Sequence, residues 1–87
     1  MTRPRVVTGA RLVYDDVREQ QVLLMPEGLV RLNRSAAEVL ELCDGKRSLD
    51  EIVRVLSARY DGVDLRDDVR GLVDSMARRG VVINAAR

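Results

Sequence analysis

The sequence predicts an α+β domain: a three-stranded antiparallel β-meander followed by three α-helices, resembling a winged helix-turn-helix. Three observations predict it. Short apolar runs separated by turn residues fill residues 11–33. After Asn33 the apolar spacing changes from a strand period to a helical one. Capping signals then recur before each helical stripe. Strands and helices are thus segregated along the chain, the mark of the α+β class. A chain of 87 residues makes one domain, and its core is small, because a body of this size buries roughly 60–65% of its unfolded surface.

Taken in order, residues 1–10 lack periodicity and carry Pro4 and Gly9, which reads as a flexible N-terminal arm. Leu12 and Tyr14 alternate with Arg11, Val13 and Asp15 as in a strand, and Asp16 to Glu19 suits a turn. Val22 to Met25 is an apolar run that Pro26 ends, since proline cannot donate to a ladder. Pro26-Glu27-Gly28 is turn chemistry. Leu29 to Asn33 is a third strand, with Val30 and Leu32 on one face and Leu29 and Arg31 on the other. Ser35-Ala36-Ala37-Glu38 fits a capping box, and Asp44-Gly45 closes the helix it opens, which carries Val39, Leu40 and Cys43. A second box, Ser48-Leu49-Asp50-Glu51, opens a helix with Leu49, Ile52, Val53, Leu56 and Tyr60 on one stripe. Asp61-Gly62 breaks it. Asp64 caps a third helix bearing Leu65, Val69, Leu72, Val73 and Met76, and Gly80 stops that helix. Val81-Val82-Ile83 is a further strand or an apolar tail. The domain is expected over residues 11–83, with 84–87 as a C-terminal tail.

The composition excludes much chemistry. Histidine is absent and there is one cysteine, so disulfide frameworks, histidine or multi-cysteine metal sites and histidine-based catalysis fall away. Cys43 lies on an apolar stripe without a basic partner and reads as a small core residue. The carboxylate pairs Asp15-Asp16 and Asp67-Asp68 diverge, because adjacent residues point to opposite sides of a strand and lie about 100° apart on a helix. The glycines sit at turns and helix ends and form no phosphate cradle. The expectation is a non-catalytic protein without cofactor or metal. No stretch approaches the ~20 apolar residues of a membrane span and the first residues are not a secretory signal, so a cytoplasmic location without membrane contact is expected.

A winged-helix outline makes DNA binding the alternative function. Fifteen basic against fourteen acidic residues leave a formal charge of +1. On the third helix Arg66, Arg70, Arg78 and Arg79 are interleaved with Asp67, Asp68 and Asp74, the pattern of a solvated face and not of a phosphate-binding one. With two aromatics, Tyr14 and Tyr60, stacked-base recognition lacks its platforms. Peptide binding is favoured instead. A small sheet that cannot close leaves a strand edge on which an extended peptide can add a strand, and the third helix carries a wide apolar stripe beside it. The same edge, or the N-terminal arm, can pair with a second copy at high concentration, with a monomer expected in dilute solution.

Specific residues also carry a family likeness. LLMPEG (Leu23 to Gly28), Leu32-Asn33, Ser35-Ala36-Ala37, LELCDG (Leu40 to Gly45), Glu51-Ile52, Asp68-Val69 and Arg79-Gly80 together resemble the PqqD family of pyrroloquinoline quinone (PQQ) biosynthesis, and Arg11-Leu12 and Tyr14-Asp15 resemble its first strand. The likeness covers roughly residues 11–83. Arg34 stands where the family often has an acidic residue, and Tyr14 where a tryptophan is frequent. The resemblance implies a non-catalytic peptide chaperone, a RiPP recognition element that binds the precursor peptide PqqA by β-strand addition and presents it to PqqE, a radical S-adenosylmethionine enzyme. The iron–sulfur clusters and S-adenosylmethionine belong to that enzyme. Carried onto this chain, the likeness implies a peptide ladder along Gly28, Leu29, Val30, Arg31, Leu32 and Asn33, with Val30 and Leu32, or else Leu29 and Arg31, bordering the groove according to which face turns to the helices. Val69, Leu72, Val73 and Met76 form the facing wall, and Arg31 and Arg70 stand at the rim.

Overall fold

A computed structural model describes residues 2–85 of the chain. Over these residues the chain forms strands β1 (Pro4–Val6), β2 (Arg11–Asp15), β3 (Gln20–Met25) and β4 (Gly28–Leu32), helices α1 (Arg34–Glu41), α2 (Leu49–Arg59) and α3 (Arg66–Arg78), and a last strand β5 (Val82–Asn84). The expected α+β architecture, a meander followed by three helices, is present.

The first residues depart from expectation. Pro4–Val6 is not a loose arm: β1 pairs antiparallel with β5, Pro4 opposite Asn84 and Val6 opposite Val82. The pair is fastened to the body by backbone bonds. Gly45 N donates to Pro4 O at 2.9 Å, Val6 N to Cys43 O at 3.2 Å, and Val7 N to Val81 O at 3.0 Å. Burial supplies the reason. Pro4, Val81 and Val82 are among the most enclosed side chains of the protein, and proline is tolerated as the first residue of a strand. The body therefore begins before residue 11 and runs through Asn84, which belongs to β5 and not to a tail. Of the expected tail, residues 86 and 87 lie outside the described residues, as does Met1 of the expected arm.

Strands β2, β3 and β4 form the meander in that order. Leu12 lies opposite Leu23, and Leu23 opposite Val30. This row faces the helices: Leu23 is 1% exposed and Leu32, two residues along from Val30, is 2% exposed. The β2–β3 turn is held by Asp15, whose carboxylate accepts from the amides of Val17 and Arg18 and from the Arg18 guanidinium. These bonds hold the Asp15 carboxyl below its ordinary range, the Arg18 amide contributing most. Pro26-Glu27 makes the tight β3–β4 turn, and Gly28 leaves it at φ +152°, a conformation L side chains rarely adopt.

Helix α1 starts two residues earlier than the Ser35 box implies. Asn33 is the N-cap, its side chain accepting from the Ala36 amide at 2.8 Å. Glu38, expected to close that box, is engaged elsewhere. The helix also ends at Glu41, with Leu42 as C-cap, before Asp44-Gly45. Asp44 organises the following turn instead, accepting from the amides of Lys46 and Arg47. The second box is complete: Ser48 Oγ accepts from the Glu51 amide at 3.1 Å, and Glu51 accepts from the Ser48 amide at 2.9 Å. The Ser48 amide accordingly holds the Glu51 carboxyl below its ordinary range. Asp64 accepts from the Arg66 amide, but the N-cap position of α3 is Leu65, which has no side-chain cap. Ile52 and Leu56 of α2, Val69, Val73 and Met76 of α3, and Val39 and Leu40 of α1 close over the meander's inner face with Val81 and Val82. Apolar burial of this kind contributes roughly 1.5–3 kcal/mol per large side chain.

Candidate functional site

Among the described residues, no strand pairs with the outer edge of β4. The two-residue turn makes Met25–Gly28 a hydrogen-bonded pair, and hydrogen-bonded and non-bonded pairs alternate along an antiparallel ladder. The main-chain groups of Gly28, Val30 and Leu32 therefore face β3, whereas those of Leu29 and Arg31 face outward. Side chains divide between the two sheet faces on the same period: Val30 is half-buried and Leu32 buried toward the helices, while Leu29 is 55% exposed and Arg31 lies open on the outer face. This resolves the two face assignments left open by the sequence. Gly28 is exposed in the turn, and Asn33 beyond the strand is committed to capping α1.

The residues expected on α3 separate into two groups. Val73 is completely enclosed, and Met76 and Val69 are 5% and 3% exposed. Val73 and Met76 pack into the core and do not form a wall open to a ligand. A helical stripe this wide is needed to cover so short a sheet. Leu72 is half-buried and reaches the surface, and Arg70 is exposed on the helix.

Two depressions lie near β4, the first of them lined by the strand itself. One, of about 570 Å³, lies at its start, where Met25 to Val30 meet Arg79, Gly80 and Val81 with Val7 and Thr8. The other, of about 380 Å³, lies past its end, where α1, α2 and α3 converge on Val39, Leu56, Leu65, Val69 and Leu72, with Ser35, Glu38, Tyr60 and Asp68 at the mouth. Sequence reasoning placed Leu65 and Tyr60 on apolar stripes but missed this convergence, because no local pattern says where three helices meet. A larger and more polar hollow of about 690 Å³ lies between the β2–β3 turn and α1, including Arg18, Glu19, Arg34, Glu38 and Arg59.

Cys43 is buried, its Sγ donates to Val39 O at 3.3 Å, and desolvation with the adjacent Asp44 charge pushes the thiol up to about 12. Asp15 is spent on its turn, and among the described residues no three His, Cys, Asp or Glu side chains are grouped to hold a metal ion. No helix of the described residues is long and apolar enough to cross a membrane.

Known proteins share this fold and much of this sequence. The family model "Coenzyme PQQ synthesis protein D (PqqD)" matches residues 20–82. A PqqA binding protein of Methylococcus capsulatus is 39% identical over 70 residues, 80% of this chain and 75% of the relative. One from Rhodopseudomonas palustris is 34% identical over 86 residues, 97% of this chain and 84% of the relative. One from Klebsiella pneumoniae is 44% identical over 64 residues, 70% and 67% of the two chains. Among solved structures, the solution NMR structure of the PqqD truncation of Methylobacterium extorquens PqqCD, described as a functional and stand-alone RiPP recognition element, superposes with a TM-score of 0.76 at 33% identity. It covers 93% of this chain and 88% of that one.

Proposed function

This chain belongs to the PqqD family, and from that membership we propose that it is a peptide-recognition protein of PQQ biosynthesis that binds a PqqA precursor peptide by adding it as a strand to the open edge of β4. The observation that carries the reading is the unpaired outward backbone of Leu29 and Arg31, beside the depression at the start of β4. Those two residues offer two amides and two carbonyls. Four ladder bonds at about 1 kcal/mol net each give about 4 kcal/mol, and two buried apolar anchors add about 1.5–3 kcal/mol each. Ordering the peptide offsets several kcal/mol of this sum, so a Kd of about 10 μM or weaker follows.

The ladder attracts any extended chain, so side-chain contacts must select the partner. Leu72 and Val30, with Val69 at the floor of the helical depression, are the apolar surfaces within this reading, and Arg31 and Arg70 stand free to meet carboxylates of the peptide. Such exposed pairs contribute about 0–1 kcal/mol each. The chain performs no reaction in this reading. It acts in the cytoplasm as a monomer and hands the peptide to the radical S-adenosylmethionine enzyme PqqE, which supplies the chemistry and the cofactors. The free edge of β4 also permits pairing of two copies at high concentration.

Titration of the labelled protein with a synthetic PqqA peptide tests the reading. The amides of Leu29 and Arg31 should shift, and affinity should survive a rise from 50 to 200 mM salt, a change under which phosphate-driven DNA binding falls steeply. Absence of calorimetric heat with the peptide, alone or with PqqE, would overturn it.

A further inference from the structure

We propose that the depression where the three helices meet is a subsite for one lysine or arginine side chain of the bound peptide. Its aliphatic stem would lie along Leu65 and Leu72 and its charged head at Asp68. This rests on the strand-addition reading above and extends it to a choice of residue.

The argument is one of complementarity. The interior of the depression is apolar, formed by Val39, Leu56, Leu65, Val69 and Leu72, and the side of Tyr60 borders it. Its charged lining residues are Glu38 and Asp68, with no basic side chain among them. The two carboxylates are not equivalent. Glu38 is engaged on both oxygens, accepting from the Tyr60 hydroxyl on Oε1 and facing the Arg59 guanidinium at 3.5 Å on Oε2. Asp68 lies exposed in the first turn of α3, and among the described residues its side chain has no ion pair or hydrogen bond. An apolar wall ending in a free carboxylate matches a side chain with a hydrocarbon stem and a cationic tip, which buries the stem while its head stays hydrated. An acidic peptide side chain meets two like charges there, and a purely aliphatic one leaves Asp68 without a partner. The depression also lies past the end of β4, next to Ser35, so a strand paired with Leu29 and Arg31 leads toward it.

A double-mutant cycle tests this. Asp68→Asn removes the charge at an exposed position and leaves the core untouched. Each lysine or arginine of the PqqA peptide is replaced in turn by methionine, which keeps the stem and removes the charge. Affinities are measured by calorimetry at low salt. The expected result is one peptide position at which Asp68→Asn and the methionine replacement each weaken binding about threefold to fivefold, with no further loss when combined. Leu72→Ala should weaken the wild-type peptide roughly tenfold, and Leu65→Ala provides the same readout if Leu72→Ala does not fold. The subsite is overturned if no basic position couples to Asp68 while the Leu29 and Arg31 amides still shift on binding. That outcome leaves strand addition standing. If those amides do not shift with a peptide that binds, strand addition fails, and the subsite with it.

Discussion

The Tyr60 hydroxyl at the C-terminal end of α2 donates to the Glu38 carboxylate on α1, across 22 residues of sequence, and Arg59 faces the other oxygen of the same carboxylate. One acidic side chain thereby ties two helices at the mouth of the three-helix depression. The hydrogen bond to Glu38 keeps the phenol proton in place and raises the Tyr60 pKa above its ordinary value, with partial desolvation and the Glu38 charge acting in the same direction.

Because the folded value is raised, the contribution of this tie is complete below the unfolded tyrosine pKa of about 10 and is lost as pH rises through the folded value. Tyr60→Phe should melt below the wild type at pH 7 to 9, and the two curves should converge above pH 10. Thermal melts across that range check it. Equal melting at pH 7 would remove the tie as a stabilising element.

The edge of β4 gives a backbone prediction. The Arg31 amide faces outward, so Arg31→Pro removes a donor that the protein itself does not use, whereas Val30→Pro removes a ladder bond to β3. Arg31→Pro should fold and should bind the PqqA peptide at least tenfold more weakly. Val30→Pro should be strongly destabilised. Circular dichroism melts with a parallel calorimetric titration separate the two outcomes.

Helix capping gives the next. Asn33 caps α1 through the Ala36 amide, and Ser35 does not cap. Asn33→Ala should cost about 1 kcal/mol, and Ser35→Ala should stay within about 0.5 kcal/mol of the wild type. Urea denaturation of both variants is sufficient, and a reversed order would move the cap back to the serine.

Cys43 supplies a chemical prediction. With burial and the Asp44 charge holding the thiol near 12, only about one molecule in 10,000 carries a thiolate at pH 8. A chromogenic disulfide reagent should leave the folded protein unmodified at pH 8 and react promptly in denaturant. Rapid reaction under native conditions would show that the segment around Cys43 opens far more easily than its burial implies.

The meander and the three helices were legible because each announces itself locally: Pro26 and Gly28 punctuate the strands, and Ser48 with Glu51 marks the start of α2. The pairing of Pro4–Val6 with Val82–Asn84 was not legible, since three-residue strands have too little period to read and their partners lie at opposite ends of the chain. At α1, Asn33 and Ser35 both satisfy the first half of a capping pattern. Only the tertiary tie to Tyr60 reveals that Glu38 is unavailable to complete the serine's version. The third strand and its open edge were legible, and the known relatives support a PqqA-binding role in PQQ biosynthesis. The facing wall was not, because Val69, Leu72, Val73 and Met76 share one helical stripe. Spacing cannot distinguish Val73, sealed in the core, from Leu72, which reaches the surface.

The union of β1 and β5 has a consequence for biosynthesis. The residues of β5 are synthesised about eighty residues after those of β1, some 4–16 seconds at ordinary elongation rates. The meander and the first two helices are free to assemble in that interval, but the seam that closes the body waits until residues 82–84 have been made. Until then residues 4–6 trail as an unmatched ribbon, the moment at which this small protein is most open to pairing with a neighbour.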